Sequence, residues 1–194
     1  MIYERQRLLE LGRDRVTAWL AVNPMIPKVF FFVEPKDGWR GRGFCGYYRD
    51  GVIHVCLEMC ARPGRAGMAW SWPGYKIDRT PYGVVAHELG HHVDRSMSVS
   101  KSAYGGDYST IIRSAAAEPA LTGYCSNTFE WFAEMFRLYV TNPHLLCALR
   151  PRTYAQLARI FYQVTPHRSW DRELAATGAP QRTVDAARRQ VGSG

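Results

Sequence analysis

The stretch from Val84 to Asp94, VVAHELGHHVD, holds His87, Glu88 and His91 in the pattern H-E-x-x-H. On a helix, side chains four positions apart lie one above the other on the same face. Two imidazoles so placed can grip one small cation, for which Zn2+ is the usual guest. Glu88 follows the first histidine, where it can reach a water on that ion. The chemistry implied is metal-assisted hydrolysis, usually of a peptide bond.

Two histidines leave such a site incomplete, because catalytic zinc takes three protein ligands and keeps a fourth position open. Sites that extend the same helix need Gly at the third residue after the second histidine and a ligand three residues beyond. Those positions are Asp94 and Met97, so the same helix does not complete the set. A later segment, 127–142, offers Glu130 and Glu134, again four apart on one helical face. Its other residues, Trp131, Phe132, Phe136, Leu138 and Tyr139, are bulky and apolar, which predicts a mostly buried helix. Two carboxylates there need a reason. A metal ligand, with a partner that orients a ligand histidine, would supply one.

HELGHHVD followed by LTGYCSNTFEWFAEMFRL resembles the catalytic domain of anthrax lethal factor and its zincin relatives. The match to E-[aromatic]-F-A-E-x-F-R-L covers residues 130–138, and the resemblance spans about 55 residues, from Tyr82 to roughly Arg137. It implies a zincin-like α+β fold, with a small mixed sheet packed on the H-E-x-x-H helix and further C-terminal helices. It makes Glu130 the third zinc ligand, Glu134 a supporting carboxylate, and Tyr124 the hydroxyl that assists at the oxyanion or leaving amine. Glu88 is then the general base that later returns its proton to the amine. FRLYVTNPHLL also looks like small metallopeptidase-like proteins encoded by bacteriophages. The substrate expected is a polypeptide bound as an added β-strand, with the hairpin strand at 52–58 beside the cleft.

Other groups read more plainly. His92 lies off the ligand face, as a surface residue or a support for the site. Asp94 stands one turn beyond His91, where it orients a ligand, caps the helix or forms a salt bridge. His54 reads as a satisfied strand histidine, and His144 and His167 as helix-start or loop residues. Cys125 neighbours Tyr124, and Trp70 and Trp72 either line the cleft or anchor the core.

The elements that must position these residues follow from periodicity and turn signals. Residues 3–22 show helical spacing of Leu8, Leu11, Arg15 and Trp19, ended by Pro24 and Pro27. KVFFFVEP (28–35) reads as a buried strand. The 43–60 stretch reads as a hairpin around Asp50-Gly51. A Gly/Pro/Trp-rich loop fills 61–79. Thr80 caps and Pro81 opens the motif helix, expected to run to about Arg95. Residues 96–123 read as an irregular insertion. Ser126 or Asn127 caps the glutamate helix, Pro143 stops it, and shorter helices are expected at about 144–150, 152–164 and 169–190.

The chain has 194 residues, enough for a single zincin-like domain over 1–194: helix and sheet at 1–79, metal-site helices at 80–142, terminal helices at 143–194. A hydrophobic content of 46% with 22% charged residues argues against disorder. The net charge of +8 comes from scattered arginines without a basic block, which argues against nucleic acid as the partner. Five cysteines without a C-x-x-C pair fit a reducing compartment, with Cys56 and Cys60 in a stretch read as strand. The charged N-terminus lacks a signal peptide's apolar core, and no apolar run is long enough to span a membrane, so a cytoplasmic location is expected, in the host cell or a virion if a phage encodes it. Nothing in the sequence fixes an oligomeric state. Two competing readings remain: a catalytically silent zincin-fold structural or interaction protein, and a basic nucleic-acid-binding module that zinc only stabilises.

Overall fold

The computed structural model describes residues 2–40, 43–61, 78–99, 109–114, 117–118, 127–143, 146–147 and 150–164. Within them the architecture is α+β: helix α1 (Ile2–Val22), strands β1 (Phe30–Val33), β2 (Gly46–Arg49) and β3 (Val52–Val55), then helices α2 (Pro81–Val99), α3 (Thr128–Thr141) and α4 (Pro151–Ile160). None of these helices is long and apolar enough to cross a membrane. The expected helices at 144–150 and 169–190 lie largely or wholly outside the described residues, as do Trp70, Trp72, Tyr124, Cys125, His144 and His167.

The sheet has the order β1-β3-β2, with β1 parallel and β2 antiparallel to β3. Asp50 and Gly51 both take positive φ, 49° and 85°, the backbone of a two-residue turn whose twist matches the flanking strands. Ile53 and Val55 are fully buried on the face toward α2. The FFFV run is not the buried strand its composition predicts. β1 is an edge strand, and Phe30 and Phe32 point to the opposite face, 70% and 56% exposed. Phe31 turns inward, with the Arg13 guanidinium 5.2 Å from its ring centroid. Strand structure also stops at Val55. Cys56 and Cys60 flank a turn rather than sit in a strand, and both are buried thiols.

Among the described residues, α2 and α3 form the centre of the fold. Thr80 opens α2 as expected, its hydroxyl accepting the Gly83 N–H at 3.4 Å. The helix runs past Arg95 to Val99 because Val93 and Met97 continue its buried stripe. Ser96 and Ser98, which favour loops, satisfy their hydroxyls on the carbonyls of His92 and Asp94. Residues 109–114 are helical, so the 96–123 insertion is not irregular throughout. Asn127 caps α3, accepting the Phe129 and Glu130 N–H groups at 3.0 Å each. Every α3 residue from Trp131 to Thr141 is buried. Trp19 of α1 meets Phe136 of α3 edge-on at 5.0 Å, and both touch Phe161 beyond α4. Glu118 fixes α4 by accepting the N–H groups of Arg152 and Thr153 at its N-terminus.

Candidate metal centre

α2 and α3 cross where both carry a small residue. A Cβ on Gly90 would stand 2.6 Å from the Ala133 Cα, so the two backbones touch. Gly90 lies between Glu88 and His91, and Ala133 between Glu130 and Glu134. The crossing therefore sets the histidines of one helix against the carboxylates of the other.

At that crossing the Glu130 carboxylate lies 3.1 Å from His87 Nε2 and 3.6 Å from His91 Nε2. The three donor atoms all fall within 4.8 Å of one another. Two zinc bonds of about 2.05 Å at a tetrahedral angle hold their donors about 3.3 Å apart, between those two separations. His87, His91 and Glu130 can thus hold a metal ion. The donor set, two imidazoles and one carboxylate, suits a borderline cation.

The other nitrogen of His87, Nδ1, lies 2.8 Å from Glu134 Oε1. An ionised carboxylate only accepts, so Nδ1 carries the proton and Nε2 faces the metal position. Glu134 is in turn held by Arg137, whose Nε and Nη2 both donate at 2.9 Å. Arg137 is wholly buried. Burial resists ionisation of Glu134, but the Arg137 charge and the His87 bond outweigh it and hold its carboxyl well below the usual range. His87 shows the same contest. Burial disfavours its charged form, yet hydrogen bonds to Glu130 and Glu134 push its pKa up to about 10. Bonds from His87 and His91 hold Glu130 down at about 2. Without metal, the centre therefore keeps a proton where a cation would sit.

The metal group opens on a cleft of about 520 Å3. Its floor is His87, Glu88 and His91, with Phe129 and Glu130 on one wall and Phe44, Gly46 and Tyr48 on the other. Glu88 is buried, which raises its pKa, while the charges of His87 and His91 and the nearby Tyr48 main-chain N–H pull it down. Asp94 lines the same cleft, buried beside His91, and burial lifts its pKa to about 6 against the pull of His91.

Two expectations change at this point and a third holds. The cleft wall is β2, not the strand at 52–58, because β3 is the central strand with partners on both sides. Of the two places expected for His92, the surface is excluded: it is buried, bonded to Tyr48 and to the Pro27 carbonyl, and burial holds its pKa below the usual value. His54 is satisfied, as a strand histidine should be, by Glu34, which also accepts the Tyr47 hydroxyl. Arg137 was open to sequence reasoning: a basic residue three positions after a buried glutamate on a helix is its natural partner. Tyr48 was not, since nothing in GYYR says which tyrosine meets α2.

Compared with protein-family models, curated proteins and solved structures, the chain matches none of them.

Proposed function

We propose that the chain is a zinc-dependent metallopeptidase with a zincin-like fold, in which His87, His91 and Glu130 bind the ion and Glu88 is the general base. One observation carries this reading: a three-residue metal group opens on a cleft that also holds a carboxylate outside the ligand set. A structural zinc site is closed by four protein ligands and has no use for a neighbouring base.

When bound, zinc supplies Lewis acidity that polarises a carbonyl and brings the pKa of water near neutrality. The residues do the rest. Glu134 fixes the His87 tautomer. Glu88 takes the proton of the attacking water and passes it to the departing amine, and its raised pKa suits both steps. β2 borders the cleft and offers its edge to an extended polypeptide, which buries main-chain polar groups against each other. The resemblance to the lethal factor catalytic domain supports the same assignment. It gives Tyr124, outside the described residues, the role of donor to the developing oxyanion.

The test is peptide hydrolysis by the purified chain before and after chelation. Activity should vanish with the metal and return with stoichiometric zinc. Hydrolysis that persists without metal overturns the reading.

A further inference from the structure

His92 follows a metal-group histidine, yet its ring turns away from that group and is nearly inaccessible, 3% exposed. A buried imidazole is costly unless both nitrogens are bonded. Here Nε2 lies 2.8 Å from the Pro27 carbonyl and Nδ1 lies 3.1 Å from the Tyr48 hydroxyl. A carbonyl only accepts, so Nε2 carries the proton. Nδ1 of the neutral ring then accepts, and Tyr48 donates to it. The Tyr48 oxygen also accepts the Gly51 N–H at 3.1 Å. The bonds run in one direction, from the β2–β3 turn through Tyr48 and His92 to the residue before Lys28 on the way into β1. Each member has one role, and none can reverse without stranding a proton.

Tyr48 has a second connection. Its main-chain N–H faces the Glu88 carboxylate, where it favours the ionised form. β2 runs close to α2 along this line, for a Cβ on Gly46 would come within 3.6 Å of Glu88 Cγ. The side chain of Tyr48 is therefore fastened to α2 through His92, and its strand passes close beside the carboxylate one turn earlier on the same helix.

We propose that His92 is a positioning residue: through the Tyr48 hydroxyl it fixes β2 against α2, and so holds the β2 wall of the cleft, with the Tyr48 amide, beside Glu88. The catalytic part of this rests on the metallopeptidase reading above, whereas the clamp itself does not.

The test uses the full zinc-loaded chain with Tyr48→Phe, His92→Phe and His92→Gln. Three quantities are read: zinc affinity by chelator competition, hydrogen exchange at the Tyr48 amide, and kcat and KM on a cleaved peptide. Loss of one hydrogen bond of about 1 kcal/mol corresponds to roughly a fivefold change. Tyr48→Phe and His92→Phe should keep zinc affinity, speed Tyr48 exchange about fivefold or more, and lower kcat by a similar factor with KM little changed. His92→Gln retains a donor and an acceptor and should restore both exchange protection and kcat. A purely structural His92 would lower the melting temperature and leave Tyr48 exchange and kcat at wild-type values, which overturns the proposal. If His92→Phe does not fold, Tyr48→Phe decides, since it removes a single oxygen. If wild type hydrolyses no peptide, the metallopeptidase reading fails, and exchange at Tyr48 alone decides the clamp.

Discussion

Gly90 and Ala133 are in backbone contact, and no side chain fits between them: a Cβ on Gly90 would lie 2.6 Å from Ala133 Cα and 3.0 Å from its carbonyl oxygen. The glycine of the H-E-x-x-H stretch is thus the point where the histidine helix meets the carboxylate helix. In an exposed helix interior, Gly→Ala stabilises by roughly 1 kcal/mol. Gly90→Ala should do the opposite, destabilising the metal-free protein by about 1–3 kcal/mol through overpacking. Parting of the helices should also weaken zinc binding by about tenfold or more. Chemical denaturation and chelator competition measure the two effects, and a stabilised variant with unchanged zinc affinity would show that the crossing is looser than described.

Arg137 and Glu134 form a buried pair with two donated bonds, and neither has exposed surface of consequence. Arg137→Leu leaves the carboxylate without its strongest partner and should cost about 3–5 kcal/mol in stability. Glu134→Gln removes the acceptor charge behind His87 and should weaken zinc binding about 10–100-fold. Urea unfolding of the metal-free protein checks the first and competition titration the second. An Arg137→Leu variant as stable as wild type contradicts the role given to the pair.

The pH dependence of stability should differ between the metal-free and zinc-loaded protein. In the metal-free protein His87 is protonated between two carboxylates, with its pKa raised from 6.5 to about 10. Its stabilising contribution is full below pH 6.5 and is lost as pH rises through about 10. Glu134 is shifted the other way, so its contribution is present above its ordinary value of 4.5 and is lost on acidification below that. The melting temperature of the chelated protein should therefore fall between pH 6.5 and 10. In the zinc-loaded protein the ion takes the place of the proton, and the curve over that range should be flat. Parallel curves for the two forms would show that His87 does not exchange a proton for the metal.

The starts and buried faces of α2 and α3 were legible, whereas the end of α2 at Val99 and the helical residues 109–114 were not. Thr80-Pro81 and Asn127 are starts that the backbone needs, and the apolar stripe of 127–142 marks a helix buried on nearly all sides. The partnership of His87 with Glu130 and Glu134 was legible because carboxylates on such a helix demand an explanation. The sheet was less legible. Phe30, Phe31, Phe32 and Val33 have the composition of a central strand, but placement at an edge depends on pairing with β3, which no local pattern encodes. The same gap hid β2 as the cleft wall and His92 as its fastening to α2. Both follow from how the sheet packs on the helix, a contact between residues more than forty positions apart. Periodicity gives an element and its buried face but not the neighbour that face will meet.

The central claim is that Glu88 acts on a water beside a metal held by His87, His91 and Glu130. The most direct measurement is cleavage of a peptide library, followed by mass spectrometry, by wild type and Glu88→Gln at equal zinc occupancy. Glu88→Gln leaves the three metal-binding side chains intact, so zinc content should match wild type at one ion per chain, while cleavage should fall by a factor of about 10²–10⁴. Equal zinc content with cleavage indistinguishable between the two proteins would contradict the account.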